Sequence, residues 1–346
     1  MFGSILEIIA LLFLIVGCCT LFTNAIEWTG HRFNLSEGAV GSVLAAVGTA
    51  LPETLVPIIA IASGLLGVSH MSLDTGHNIG IGAILGAPFL LGTLAMFVSA
   101  TALFYLAAKG KRLATLKIDH HLFRRDFHYF FPAYIIVVLA AFIPVPWIKQ
   151  VFAIGLLVFY GIYVYRTIRK EHIPDEDFHL PTLLFATKRG ANAAEPSTAL
   201  IMFQLIISLV ALLIMVHFFV GQINHVATFL NIPPLVLSLI ITPIATEMPE
   251  KFNSVVWIQG GKDNLALGNI TGAMVFQSCI PTAIGLLGTP WILESAGFLS
   301  VGLCLLSSLL VYLAAWKRPV LLPKAMLFSG VFYLTFVIYA LLHLKT

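Results

Sequence analysis

Two glutamates at matched positions inside apolar stretches are the residues best suited to chemistry in this chain. They close the strings Thr49-Ala50-Leu51-Pro52-Glu53 and Thr246-Glu247-Met248-Pro249-Glu250. A carboxylate deep in a bilayer is expensive and marks a functional site by default. Each one follows a proline, which lacks an N–H and clashes with the carbonyl four residues back. That carbonyl belongs to Gly48 in the first string and to Ala245 in the second. Thr49 and Thr246 add a hydroxyl four residues before each glutamate, on the same helical face. Carboxylate, hydroxyl and freed carbonyl are hard oxygen donors of the kind that hold Ca²⁺. Broken helices that line a polar site near the midplane, repeated in two halves, are the pattern of a secondary transporter.

The elements that must carry these strings are membrane spans. Of the 346 residues, 59% are hydrophobic and only 10% charged, against roughly a quarter charged in soluble proteins. Ten apolar segments can span, near 4–25, 37–66, 78–107, 128–146, 149–167, 198–220, 233–258, 264–289, 295–316 and 323–343. The first carries Glu7 and no basic leader, so it reads as a span rather than a signal peptide. With ten spans, 16 of the lysines and arginines fall on one side and only Lys149 and Lys345 on the other, with Lys251 inside span seven. The positive-inside rule then puts both termini outside the cytoplasm, in what reads as a prokaryotic plasma membrane. Residues 1–167 form a first five-helix half, 168–197 a cytoplasmic connector, and 198–346 a second half. Cys18, Cys19, Cys279 and Cys304 form no CxxC pair and read as small apolar residues.

The two strings lie in spans two and seven. Five spans separate them, an odd number, so they cross in opposite directions, as in an inverted repeat. The spans that follow also match: Gly82-Ala83-Ile84-Leu85-Gly86-Ala87 resembles Gly268-Asn269-Ile270-Thr271-Gly272-Ala273. Small residues at this spacing let helices approach closely. The expected fold is an all-α polytopic membrane protein of about ten helices in two inverted repeats, with broken helices two and seven at the centre.

These residues resemble the calcium/cation antiporter superfamily, whose sodium/calcium exchanger members carry two G-[ST]-S-x-P-E cores. The first copy here reads Gly48-Thr49-Ala50-Leu51-Pro52-Glu53 and the second Ala245-Thr246-Glu247-Met248-Pro249-Glu250. The partner motif, G-N-x-x-G-S with Asn or Asp four residues on, is similar to Gly268–Ala273 with Gln277. The resemblance implies an antiporter that moves Ca²⁺ against Na⁺ by alternating access. The candidate ligands are Glu53, Glu250, Thr49, Thr246, the carbonyls of Gly48 and Ala245, and Gln277, with Glu247, one helical step from Glu250, as a further carboxylate. The departures from the pattern include Ala87 and Ala273, which replace serines, and Leu91, which replaces a carboxamide or carboxylate. Fewer hydroxyls make several Na⁺ sites harder to build, which keeps Ca²⁺/H⁺ exchange open. About eleven extra residues precede Leu91, and they contain His70, Asp74 and His77 near the outer mouth.

Several of these residues keep two readings. Thr49 and Thr246 can each ligate or bond back to the carbonyl at i−4. Glu247 can be a third ligand or pair with Lys251 at i+4, and Gln277 can ligate or hydrogen-bond between helices. No HExxH or GxSxG string occurs, which argues against an intramembrane enzyme. A channel would need ligand rings around an oligomeric pore, and a non-transporting scaffold would leave the glutamates unexplained. No cofactor is expected, because Ca²⁺ and Na⁺ or H⁺ are cargo. The expected partners are inorganic cations and the lipid bilayer, with no nucleic acid, in a monomer or homodimer.

Overall fold

The computed structural model describes residues 2–32, 51–68, 71–170, 182–186, 196–316, 320–321 and 323–343. Among these residues ten helices follow one another: α1 Phe2–Arg32, α2 Leu51–Leu66, α3 Leu73–Ala108, α4 His120–Ala141, α5 Pro146–Lys170, α6 Thr198–Leu230, α7 Pro234–Gln259, α8 Asp263–Gly288, α9 Ser295–Ala315 and α10 Pro323–His343. Seven of them are long and apolar enough to cross a membrane. The other three are α2, α4 and α7, which carry Glu53, the Arg124-Arg125-Asp126 run and the TEMPE string. The protein is an all-α polytopic membrane protein.

Two helices begin earlier than apolar runs alone suggest. Helix α3 starts at Leu73 rather than near 78, because Ser72 accepts a hydrogen bond from the Thr75 amide at 3.2 Å and caps it. Asp74 and His77 therefore lie in the opening turns of a helix instead of a loop. Helix α4 starts at His120 because Asp119 accepts from the amides of His121 and Leu122. In the middle of α3, Leu91–Ala95 form a π-helical turn, a local widening often found at functional positions. Helix α7 runs without interruption from Pro234 to Gln259 through Pro243 and Pro249. The expected break is absent from this helix: each proline removes one hydrogen bond, and α3 packed along its flank holds the rod together.

The packing interleaves early and late helices of the chain. Helices α2, α3, α7 and α8 pack on one another. The α4–α5 hairpin lies against α8, and the α9–α10 hairpin lies against α3. Helices α1 and α6 run side by side and rest on α2, α3 and α7 through an apolar cluster that includes Ile15, Val56, Ile79 and Phe219. Gln222 donates to Glu7 at 2.6 Å, Gln204 to Asn24 at 3.0 Å, and Arg32 to Thr198 at 2.9 Å, so α1 and α6 are tied along their length. Asn24 and Gln204 also clasp the described part of the connector, through the Leu184 and Phe185 amides.

One end of the bundle is locked by charge. Arg112 makes a bidentate pair with Asp263 at 2.9 and 2.8 Å, and the Lys117 amide adds a third bond to the same carboxylate. A two-residue antiparallel ladder joins β1 (Leu116–Lys117) to β2 (Val320–Leu321) beside it. These ties connect the α3–α4, α7–α8 and α9–α10 connections. At the opposite end Lys149 donates to the Pro290 carbonyl of the α8–α9 connection. Asp263 is 3% exposed, so removing its charge strands a guanidinium. Asp263→Ala is expected to cost about 3 kcal/mol, read as a lower thermal midpoint in detergent, and Arg112→Ala with Asp263→Ala together should cost less than the sum of the two.

Candidate cation site

Helix α2 carries Glu53 in its first turn, where the residue is 4% exposed. From α7 come Thr246, 5% exposed, and Glu247, 1% exposed. Helix α8 supplies Gln277, 2% exposed. Helix α2 packs against both α7 and α8. These four polar side chains are therefore withdrawn from the surface on three mutually packed helices. Gly48 and Thr49 lie outside the described residues. The backbone of Ala245 and Glu250 is helical within α7, and their side chains, like that of Lys251, are outside the description.

Gln277 Nε2 donates to Glu247 Oε1 at 2.8 Å, joining α8 to α7. The interhelical bond, one of the two readings of Gln277, is thus made by its nitrogen. Its Oε1 is buried and has no hydrogen-bond partner. A buried carbonyl oxygen left unmade costs free energy, and a hard cation would satisfy it. Thr246 donates to the Thr242 carbonyl at 3.2 Å, the back-bond that competes with ligation. That bond uses the hydroxyl proton and leaves oxygen lone pairs.

Thr246 also ends a row that sequence reading passed over. Ser238, Thr242 and Thr246 are spaced by four on α7 and all buried, and the next position in the row is Glu250. Ser238 Oγ donates to the Ile79 carbonyl of α3 at 2.8 Å and meets Thr242 Oγ1 at 3.1 Å. The signal was present as an i, i+4, i+8 hydroxyl series leading to the glutamate, hidden because each residue alone resembles ordinary span polarity.

The glycine motifs behave differently in α3 and α8. A Cβ on Gly82 would fall 2.5 Å from the Leu235 carbonyl, and one on Gly86 2.4 Å from that of Leu239. Helices α3 and α7 thus touch backbone to backbone, as the small-residue spacing suggested. In α8, by contrast, no described atom lies within 4 Å of a Cβ on Gly268, and Gly272 meets only the Tyr163 hydroxyl at 3.5 Å. Leu91, the position that departs from the ligand pattern, is fully buried and opens the π turn. Around that turn Ser307 donates to the Gly92 carbonyl at 2.6 Å and Cys304 to that of Pro88 at 3.2 Å.

His77 is 8% exposed in the opening turns of α3, and His70 lies outside the described residues. Among the described residues no group of three His, Cys, Asp or Glu side chains is placed to hold a metal ion.

The chain is similar over nearly its whole length to known membrane proteins. It is 25% identical to CaxA of Alkalimonas amylolytica across 84% of each chain. To an uncharacterised membrane protein of Methanocaldococcus jannaschii it is 22% identical, covering 85% of this chain and 84% of that one. Its fold matches the crystal structure of the H⁺/Ca²⁺ exchanger CAX with a TM-score of 0.68 at 17% identity, over 98% of this chain and 82% of that one. The sodium-calcium exchanger NCX_Mj matches with a TM-score of 0.59 at 20% identity, over 98% of both chains. The model of the sodium/calcium exchanger protein family covers residues 3–169 and 200–345, and the chain belongs to that family.

Proposed function

We propose that the chain exchanges a divalent cation, Ca²⁺, against Na⁺ by alternating access, at a site shared by α2, α7 and α8. Family membership makes it an integral membrane transporter of the cation-exchanger type rather than an enzyme. The observation that carries the finer reading is the burial of Glu53 and Glu247 on packed helices of opposite halves, beside the unpartnered Oε1 of Gln277. Two carboxylates that face one cavity in a protein interior repel each other. A dication removes that repulsion, so the loaded site is stable where the empty one is not. Counter-ions that neutralise the same oxygens do the same, and this makes reorientation favourable with either cargo and costly with none.

The site residues are Glu53, Glu250, Glu247, Gln277, Thr49 and Thr246, with the Gly48 and Ala245 carbonyls. Residues 1–167 and 198–346 are the two halves and 168–197 their cytoplasmic connector. The end locked by Arg112 and Asp263 faces the cytoplasm of a prokaryotic cell, and the Lys149 end faces out with both termini. One chain supplies the complete site and needs no cofactor.

Exchange against H⁺ is the second reading, favoured by one feature. Ala87, Ala273 and Leu91 leave few hydroxyls for a second ion, whereas Glu247 adds a carboxylate, a group for which protons and metal ions compete. Proteoliposomes loaded with Na⁺, or buffered acidic inside, and given external ⁴⁵Ca²⁺ separate the two. Uptake that needs the outward Na⁺ gradient establishes the first reading, uptake that needs only the outward H⁺ gradient the second. Folded protein that responds to neither gradient is not a Ca²⁺ antiporter.

A further inference from the structure

Beside α8, on the side away from α7, one buried carboxylate ties three helices. Asp126 of α4 is 2% exposed. Its Oδ2 accepts from Thr271 of α8 at 2.6 Å, and its Oδ1 accepts from Tyr163 of α5 at 3.0 Å and from Arg125 Nη2 at 3.0 Å. The Arg125 guanidinium also lies over the Tyr163 ring, 5.3 Å from its centre. The carboxylate is thus saturated with donors, and its charge is paired. Such a group does not hold a cation of its own. It fixes the geometry of what it bonds.

What it bonds is the helix that carries Gln277. Asn269, two residues before Thr271, donates to Ser254 of α7 at 3.3 Å. Residues two apart on a helix point roughly 200° apart, so Asn269 and Thr271 grip opposite neighbours. Six residues on, about 9 Å along the axis, Gln277 reaches α7 again through Glu247. Between these grips the Tyr160 and Phe276 rings meet edge-on at 5.5 Å, and Tyr163 lies closest to Gly272. Helix α8 is therefore held between an ion-facing partner, α7, and a hairpin whose only charge-assisted hold on it, among the described residues of α4 and α5, is the Asp126–Thr271 bond.

We infer that Asp126 is a positioning residue of the cation site: by bonding Thr271 it sets the rotation and depth of α8, and with them the place of the Gln277 carbonyl. The inference rests on the cation-site reading above. A rotation of α8 by even a few tens of degrees would carry Gln277 Oε1 more than an ångström from its ligating position. The expected signature is weaker cation binding with the turnover rate preserved.

Replacing Asp126 itself would strand Arg125 and Tyr163, so the test uses Thr271→Val, which keeps the side-chain shape and leaves the carboxylate its other two partners. Thr271→Val is expected to raise the KM for ⁴⁵Ca²⁺ uptake about tenfold with the maximal rate per folded protein within twofold of wild type. It should also speed amide exchange in residues 268–280, and Thr271→Ser should restore both. Unchanged KM and unchanged exchange would overturn the inference. So would a fall in maximal rate alone, which marks a structural role. Absence of uptake by the wild type would count against the cation reading, while the exchange comparison would still decide whether Asp126 holds α8.

Discussion

Glu53→Gln is expected to cut gradient-driven Ca²⁺ uptake at least about 100-fold while folded protein is recovered in near wild-type amount. The replacement keeps the volume of a side chain that is 4% exposed on α2, so packing gives no reason for misfolding. What it removes is a formal charge and one strong oxygen donor from a site built for a dication. A hundredfold loss corresponds to about 2.8 kcal/mol, a modest share of the attraction between a dication and a carboxylate at contact in a protein interior. Glu247→Gln should fall in the same class. Gln277 Nε2 can still donate to the new amide oxygen, so the α7–α8 bond of 2.8 Å survives while the charge does not. Uptake by both variants at wild-type rates would remove these glutamates from the mechanism.

The second large effect concerns packing. Gly86→Ala is expected to lower stability by about 2 kcal/mol and transport at least about tenfold, because its Cβ would stand 2.4 Å from the Leu239 carbonyl and 2.5 Å from Pro243 Cγ. Neither contact is the end of a flexible chain, so α3 and α7 must separate by about an ångström to reach ordinary contact. Helix α7 carries Glu247 and Glu250, and the strain passes directly to the site. Gly272→Ala, the counterpart in α8, would place its Cβ at an ordinary 3.5 Å from the Tyr163 hydroxyl and should be neutral or slightly stabilising through the helix preference of alanine. Thermal midpoints of the two purified variants decide the point, and equal losses at both glycines would contradict the asymmetry.

Much of the fold is legible in the sequence because bilayer thickness and backbone satisfaction leave few options. Apolar run length placed ten helices, and the duplicated T-x-x-P-E string with its trailing glycines showed which of them meet. The start of α4 was not legible, because His120–Asp126 is too polar to count toward a span and enters the helix through the Asp119 cap. Asp126 was missed for that reason: in sequence it is one charge in a basic stretch, and only α5 and α8 make it a buried junction. The continuous course of α7 through Pro249 was hidden as well, since the sequence shows the lost hydrogen bond but not the α3 flank that compensates for it. Gln277 was legible as a polar residue at ligand spacing. Which of its atoms faces α7 depends on Glu247, a pairing across helices that no local pattern carries.

Equilibrium ⁴⁵Ca²⁺ binding to the purified protein, wild type and Glu53→Gln side by side, tests the central claim most directly. The predicted result is saturable binding of one ion per chain by the wild type, displaced by the coupling cation, and loss of that binding in the variant. Equal binding by both proteins, or none by a folded wild type, would contradict a divalent-cation site that depends on Glu53.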